Sequence, residues 1–380
     1  MNKVIGFYSH IPISIHKGKI FTPSHIGKYL KSLAQNCNSL VIIGHSSDFN
    51  IIDFDYSLNS KNINFVNLGS KKKSLNRFFL GFKYFLKMDK SYIDHMIVRS
   101  PTPLSHWFRL FFKKNKLSYL LVADEKEGAL NKETRGLRDL IITLYLLIAD
   151  FILFYCVKGT NSFVNSKFLF EKYKKFNIKI VSTSNIENSD YVEKLNFSFN
   201  DPLKLLYVGR LDVAKGILET IEAVVELNKL GYASNYNIVG WDDSSGLNEK
   251  IIIKKIEQLD AKKFITLSGK KSHGHELNQI YRDSDIYIIA SYSEGMPRTI
   301  FESMASSTLV IASSVGAIPF ELSDNINVVL IKPKSVDEIV SAVIKVKKDI
   351  LLREKIITNG FEISKTKNLN LSVINLVKYL

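Results

Sequence analysis

The sequence has 380 residues, of which 46% are hydrophobic and 23% are charged. This length predicts two domains, and the hydrophobic content excludes a largely disordered chain. The net charge of +15 is uneven, because residues 1–200 hold 29 Lys and Arg against 15 Asp and Glu, whereas residues 201–380 hold 23 against 22. A basic first half indicates a negatively charged partner. We expect an anionic membrane surface and no nucleic acid, because no nucleic-acid motif is recognised.

Short apolar runs alternate with helical stretches along the chain. In the first half these runs predict strands near residues 3–8, 39–44, 62–67, 94–98, 118–123, 151–156 and 178–181. In the second half they predict strands near residues 203–208, 235–239, 263–267, 285–290, 308–312 and 327–331. Such alternation predicts an α/β fold with parallel sheets covered on both faces by helices. A polar stretch at residues 188–202 is the expected hinge.

Two segments of the basic half, residues 71–87 and 106–114, mix cations with large aromatics at helical spacing. This composition suits attachment to an anionic membrane. It equally suits an ordinary helix with a buried aromatic stripe and a solvated lysine face. Both interpretations remain open at this point.

The longest apolar stretch, Leu140–Val157, is near the lower length limit for crossing a bilayer. Asp150 interrupts it, and a charge inside a membrane is costly. We therefore predict a buried helix ending at Ala149, followed by a buried strand over Phe151–Cys156.

The first apolar run, Val4–Tyr8, is too short for a signal peptide and is expected to form the first strand. Cys37 and Cys156, the two cysteines, do not make a disulfide framework. These features predict a cytoplasmic protein.

A first candidate motif follows the apolar run 205–208. The run ends in Gly209 and Arg210, and a short loop leads to Lys215 and the start of a helix. Arg210 and Lys215 are expected at the same edge of a sheet, where a guanidinium fork and a compact ammonium together neutralise a diphosphate. The alternative is a surface Arg and Lys beside a helix start.

A second candidate motif follows the apolar run 285–290. Glu294 is expected at the end of this strand, Gly295 in a tight turn, and Glu302 about one turn into the next helix. Ligands bind at this edge of an open α/β sheet, and the amides of Met296–Thr299 favour a phosphate. Carboxylates accept hydrogen bonds from sugar and ribose hydroxyls, so the motif predicts a sugar-nucleotide site. Alternatively, the two glutamates are a loop residue and a solvated helix residue.

In this order and spacing, the two motifs resemble those of the retaining glycosyltransferases of the GT-B fold in family 4. The pattern of that family is a G-R-L…K-G loop followed by a Glu-x7-Glu block. Residues 203–345 carry the resemblance, including the segments 264–269 and 315–321. It implies two Rossmann-like domains with parallel sheets that face each other across a cleft.

By the same resemblance, residues 1–190 are expected to bind the acceptor and residues 200–360 the nucleotide-sugar donor. A C-terminal helix within 361–380 is expected to cross back to the first domain. The implied reaction moves a sugar, with retention, from a UDP- or GDP-linked donor to a glycan or lipid-linked acceptor. The implied role is the synthesis of a bacterial surface polysaccharide, such as capsule, O-antigen or exopolysaccharide, at the inner face of the cell membrane. The family needs no cofactor or metal for sugar binding.

The resemblance also assigns residues. Glu294, Arg210 and Lys215 are expected to take part in catalysis. The expected donor-binding residues are Gly209, Arg210, Lys215, Gly269, Glu294, Gly295, Met296, Thr299 and Glu302.

The first half departs from the family pattern. Only Gly18 is available where the family often has a glycine-rich loop near the donor phosphates, so it is a candidate donor contact. Pro101 stands where many relatives carry a histidine that is important for activity. Arg99 and Asp124, the latter in the acidic loop 124–128, end adjacent predicted strands and are the candidate catalytic substitutes.

Two other functions are compatible with the predicted fold. A GT-B sugar-nucleotide 2-epimerase would convert a sugar nucleotide without an acceptor. A non-enzymatic basic adaptor would bind membrane or nucleic acid and ignore sugar nucleotides, but the two motifs argue against it.

Overall fold

The computed structural model describes residues 2–50, 53–70, 85–86, 90–124, 137–242 and 246–380. The chain divides into two compact units, one formed by Met1–Asn185 with Leu369–Leu380 and the other by Ile186–Asn368. Most of the cationic segment 71–87, and the acidic loop beyond Asp124, lie outside the described residues.

The described part of the first unit contains a sheet of seven parallel strands. They are β1 (Val4–Tyr8), β4 (Ser39–Ser46), β6 (Ile63–Ser70), β7 (His95–Ser100), β8 (Leu117–Leu121), β9 (Ser162–Val164) and β10 (Ile178–Ile180). Their order in the sheet is β10-β9-β8-β7-β1-β4-β6, so the strand order reverses beside β1. A small antiparallel sheet is formed by β2 (Ser14–His16), β3 (Lys19–Thr22) and β5 (Tyr56–Ser57).

Before residue 186, the helices whose bounds the structure describes are α1 (Ser24–Gln35), α2 (Ser105–Phe111), α3 (Leu137–Val157) and α4 (Lys167–Tyr173). In α2, Phe108 is buried and Trp107 packs against the same apolar core. Lys113 and Lys114, which follow α2, are exposed. The segment 106–114 therefore has the buried aromatic stripe and solvated lysines of an ordinary surface helix.

Helix α3 differs from its prediction in two ways. It continues without interruption to Val157, so the strand predicted over Phe151–Cys156 is wrong. It is also mostly exposed instead of buried, with exposed fractions of 61%, 59%, 52%, 77% and 68% for Ile141, Leu144, Ile148, Phe151 and Tyr155. Asp150 does not break the helix, and its carboxylate lies 2.7 Å from the Lys172 ammonium. By length and composition, α3 is the kind of helix that can cross a membrane.

In the second unit, the described residues form a sheet of six parallel strands. They are β11 (Leu203–Arg210), β12 (Ser234–Trp241), β13 (Ile265–Gly269), β14 (Ile286–Ile289), β15 (Leu309–Ser313) and β16 (Val329–Ile331). Their order is β13-β12-β11-β14-β15-β16. Counted from β11, this is the 3-2-1-4-5-6 order of the doubly wound nucleotide-binding fold. The order reverses between β11 and β14, and the crevice there is where such sheets bind ligands.

The helices of the second unit cover both faces of its sheet. They are α5 (Ile217–Lys229), α6 (Leu247–Gln258), α7 (His275–Arg282), α8 (Arg298–Ala305), α9 (Ile318–Glu321), α10 (Val336–Lys348) and α11 (Ile350–Lys365). In β11, Leu205 and Tyr207 belong to one core cluster, while Leu206 and Val208 belong to the other. This alternation is what a strand buried on both faces requires. The last helix, α12 (Leu369–Lys378), returns to the first unit and packs on α1.

Candidate functional site

The switch point of the second sheet brings the two sequence motifs together. Arg210 ends β11, and Lys215 lies in the short 3-10 turn that precedes α5. The turn continues into Gly216, whose φ is +70°. A Cβ atom on Gly216 would stand 2.1 Å from the carbonyl oxygen of Ala290, just beyond β14. Only glycine allows this approach, and the approach carries Lys215 to the end of β14.

Lys215 and Glu294 form an ion pair at this point. The Lys215 Nζ atom lies 2.6 Å from Glu294 Oε1, and Ser291 Oγ donates a hydrogen bond to the same oxygen at 2.7 Å. The side chains of Lys215 and Glu294 retain exposed fractions of 19% and 10%. An ammonium has three donors, so Lys215 can hold the carboxylate and an incoming phosphate at the same time.

The backbone of Glu294 is also fixed by a neighbouring loop. Gly316 has a φ of +54°, and a Cβ atom there would stand 1.7 Å from the Glu294 carbonyl oxygen. The amide of Ala317 donates to the carbonyl oxygen of Gly295 at 3.1 Å. The loop between β15 and α9 therefore packs directly against the turn that carries Glu294.

The amino end of α8 faces the same edge of the sheet. Pro297, which has no side-chain acceptor, occupies the N-cap. Thr299 in the first turn accepts a hydrogen bond from the Tyr287 hydroxyl at 2.6 Å. Burial raises the pKa of Tyr287 well above its ordinary value, which keeps this hydroxyl protonated and able to donate. The helix start is thus anchored, and its amides and dipole favour an anion.

Glu302 lies one turn further along α8. It accepts a hydrogen bond from the Tyr281 hydroxyl at 3.3 Å. Burial, and then the charge of Glu302, raise the pKa of Tyr281 well above its ordinary value, so this hydroxyl stays a donor. Arg298, four residues before Glu302, has its pKa lowered by burial, an effect that the Glu302 charge opposes. Sequence reasoning did not assign Arg298 a role, although its place in the first turn of α8 was a usable signal.

The remaining predicted donor residues are spread over the same sheet edge. Gly209 lies in β11 itself, and Gly295 and Met296 lie in the turn before α8. Gly269, with a φ of +65°, ends β13. Because β13 is two strands away from β11, Gly269 is further from the switch point than the others.

In the first unit, Arg99 lies at the switch point of the seven-stranded sheet. Arg99 is in β7 and His10 follows β1, the neighbouring strand. The Arg99 Nη1 atom lies 3.4 Å from Nε2 and 3.5 Å from Nδ1 of the His10 ring. His10 was not predicted as a site residue; it stood in the loop after the first strand, which is the available signal.

Asp124, which follows β8, lines a separate cavity of about 190 Å3. Lys172 Nζ lies 2.8 Å from Asp124 Oδ2 and 2.7 Å from Asp150 Oδ1, so one ammonium bridges two carboxylates. One wall of the cavity is the loop after β7, and the other is helix α3. The residues in these two walls include Pro101, Thr102, Pro103, Tyr145, Leu146, Ala149 and Leu153. The volume suits one sugar-sized group, since pockets for larger ligands measure roughly 300–1,000 Å3.

Gly18, a candidate donor contact, lies in a hairpin turn. It follows Lys17 at the tip of the hairpin between β2 and β3. The φ angle is +48° at Lys17 and +73° at Gly18. Positive φ at both central residues is the signature of a type I′ hairpin turn. The glycine therefore serves the hairpin turn. Across the described parts of the chain, no group of three or more His, Cys, Asp or Glu side chains is arranged to hold a metal ion.

Solved structures define the class of this fold. A sucrose-phosphate synthase from Thermosynechococcus elongatus superimposes with a TM-score of 0.76 at 16% identity, over 99% of this chain and 98% of that one. HepE of Anabaena, in complex with UDP and glucose, gives a TM-score of 0.71 at 14% identity over the whole of both chains. The fold is that of the GT-B glycosyltransferases, and the predicted fold class is confirmed.

Sequence comparisons identify the second unit more closely. Residues 192–363 match the family described as glycosyl transferases group 1. An uncharacterized glycosyltransferase of Methanocaldococcus jannaschii is 29% identical over 46% of this chain and 44% of its own length. The amylovoran biosynthesis glycosyltransferase AmsK of Erwinia amylovora is 28% identical over 39% of this chain and 36% of its own. The second unit is thus similar to group 1 glycosyltransferases, and the chain spans less than half the length of these two relatives.

Proposed function

We propose that this protein is a retaining glycosyltransferase that uses a nucleotide diphosphate sugar as its donor. The observation that carries the proposal is the Lys215–Glu294 ion pair at the switch point of a nucleotide-binding sheet. The group 1 domain and the UDP and glucose bound by HepE support the same donor class. The donor is UDP- or GDP-linked.

In this proposal, the donor diphosphate lies against the amino end of α8, between Arg210 and Lys215. As the sugar–phosphate bond breaks, negative charge develops on the leaving diphosphate, and the two cations and the α8 amides stabilise it. Glu294, held by Lys215 and Ser291, binds the sugar near the reacting carbon. Glu302 accepts hydrogen bonds from the ribose hydroxyls.

The acceptor is a glycan or a lipid-linked glycan, bound by the first unit. The cavity at Asp124 is the proposed place for the acceptor sugar, because its carboxylates can accept hydrogen bonds from hydroxyl groups. Pro101 stands where many relatives carry a histidine. Arg99, which lies beside His10, is the second candidate to act on the acceptor in place of that histidine. AmsK acts in amylovoran biosynthesis, which supports a role in bacterial surface polysaccharide synthesis. The protein works at the inner face of the cell membrane.

The proposal is tested with a panel of UDP- and GDP-sugars in a thermal-shift assay, because a ligand that binds only the folded state raises the melting temperature. The best donor is then incubated with candidate acceptors, and release of the nucleotide diphosphate is measured. We expect one donor to stabilise the protein and its turnover to require an acceptor. Conversion of the donor to an epimer without any acceptor would replace this function with that of an epimerase.

A further inference from the structure

Among the described residues of the first unit, helix α3 has an exposed apolar side that the proposed reaction leaves unused. Five large apolar residues recur along it at alternating spacings of three and four and form one stripe, the α3 stripe: Ile141, Leu144, Ile148, Phe151 and Tyr155. Leu140 and Leu147, which lie along one edge of this stripe, are exposed as well. Contiguous apolar surface of this kind on a soluble protein marks an interaction site.

The opposite side of α3 is committed to the protein. Leu153, Cys156 and Val157 belong to the apolar core of the first unit. Leu146 and Ala149 line the cavity that also contains Asp124. A helix held in this way cannot be surrounded by lipid, so α3 does not cross a bilayer. It can lie in the interface, with only the α3 stripe buried among acyl chains.

Cations gather at the carboxyl end of α3. Lys158 follows the helix directly and is exposed. The ammonium of Lys175 stands 4.9 Å from the centre of the Phe154 ring. The Lys114 side chain lies against the turn at Gly159. Its Cδ atom would be 3.4 Å from a Cβ atom placed on that glycine. By contrast, Asp150 is the only acidic residue from Leu140 to Val157, and it is paired with Lys172.

We propose that the α3 stripe docks on an anionic lipid bilayer and that Lys114, Lys158 and Lys175 contact the lipid headgroups. Charge favours this occupant over a second copy of the chain, because a second copy carries the same excess of positive charge in residues 1–200. The apolar surface is also wider than the narrow seam by which two helices pair.

Docking of this kind places the Asp124 cavity at the membrane surface, since α3 forms one of its walls. A lipid-linked acceptor could then present its sugar to the cavity while its tail stays in the bilayer. This step rests on the proposed function, whereas the docking itself does not.

The test is flotation of the full chain with vesicles of phosphatidylcholine alone or mixed with phosphatidylglycerol. The stripe variant combines Leu144→Glu, Ile148→Glu and Phe151→Glu, none of which lines the cavity. The matched control combines Leu195→Glu, Leu247→Glu and Leu351→Glu, three exposed apolar positions of the second unit. We expect the wild type and the control to float with the anionic vesicles, and the stripe variant to lose at least about tenfold in partitioning. Substituting the three lysines by Gln should remove the preference for phosphatidylglycerol and the sensitivity to salt.

Three outcomes would overturn the docking proposal. In the first, the wild type floats with neither kind of vesicle. In the second, the stripe variant floats like the wild type. In the third, light scattering shows that the wild type is a dimer, and the stripe substitutions dissociate this dimer without changing flotation. The thermal shift by the donor separates the two proposals. If the donor still raises the melting temperature of the stripe variant but the variant no longer floats, the docking and the proposed function both stand. If the wild type floats but no donor raises its melting temperature, only the proposed function fails.

Discussion

Replacement of Lys215 by alanine is expected to weaken the binding of a free nucleotide diphosphate, UDP or GDP, by about 10- to 100-fold. A charge-assisted hydrogen bond contributes about 1.5–3 kcal/mol, and each 1.4 kcal/mol is about a factor of ten in the dissociation constant. Free UDP and GDP carry the diphosphate but no sugar, so their affinity reports on the diphosphate contacts alone.

The structure adds a second effect of the same substitution. Lys215 also holds Glu294 at 2.6 Å, and removing the cation leaves that carboxylate with Ser291 as its remaining donor in this group. Exposed ion pairs contribute about 0–1 kcal/mol, whereas breaking a buried pair costs about 3–5 kcal/mol. Because both side chains retain some exposure, we expect a loss of about 1–3 kcal/mol in the free energy of unfolding.

A matched variant separates these two effects. Glu294→Gln breaks the same ion pair but leaves Lys215 free to bind phosphate, so it should lower stability and keep the affinity for UDP or GDP. Lys262→Ala is the control, because it also removes a lysine from an ion pair, with Glu257 at 3.0 Å. This pair precedes β13 and so lies at the amino ends of the strands, opposite the edge that carries Lys215. Calorimetric titration gives the affinities and thermal unfolding gives the stabilities. Equal affinity of Lys215→Ala and Glu294→Gln for the nucleotide would contradict a contact between Lys215 and the diphosphate.

The other predictions concern further groups in the two units. Glu302→Ala should raise the dissociation constant of the donor with little change in turnover, because the ribose contact is the same in the ground and transition states; an unchanged constant measured by titration would contradict this. Asp124→Asn should lower transfer to the acceptor by about tenfold or more while leaving the donor thermal shift intact, with the exposed Glu171→Gln as its control. Burial lowers the pKa of His95 to about 4. The neutral His95 ring therefore contributes its full stabilisation above about pH 6.5. As the pH falls towards 4, the free energy of unfolding should decrease by up to about 3 kcal/mol. In a Trp241→Phe protein, Trp107 of the first unit is the remaining tryptophan, and its fluorescence reports on the unfolding of that unit. Urea unfolding at several pH values should show this loss of stability, and His95→Gln should abolish the loss.

The second unit was predictable because its signals are local. Apolar runs such as 205–208 and 285–290 are bounded by turn residues, and their parallel pairing puts both motifs at one sheet edge. The Lys215–Glu294 contact could not be read from the sequence, since the two residues are 79 positions apart. It depends on the close approach at Gly216, which only the folded backbone reveals.

The first unit was harder to predict, and α3 shows why. A run such as Phe151–Cys156 is apolar and aromatic, and a run of this length does not distinguish a buried strand from a helix. Asp150 was interpreted as an interruption because its partner, Lys172, lies 22 residues away in the sequence. The alternating spacings of three and four along the α3 stripe were the missed helical signal. β9, which has three residues, was not among the predicted strands.

Retaining transfer from a nucleotide diphosphate sugar can be followed in one reaction by proton NMR. The donor with the largest thermal shift is incubated with the protein and a lipid-linked glycan acceptor, and the anomeric signals of donor and product are recorded. Retaining transfer predicts a new glycosidic bond with the anomeric configuration of the donor, formed by the wild type and reduced at least about tenfold in Lys215→Ala. A product of inverted configuration, or an epimerised sugar nucleotide formed without acceptor, would contradict it.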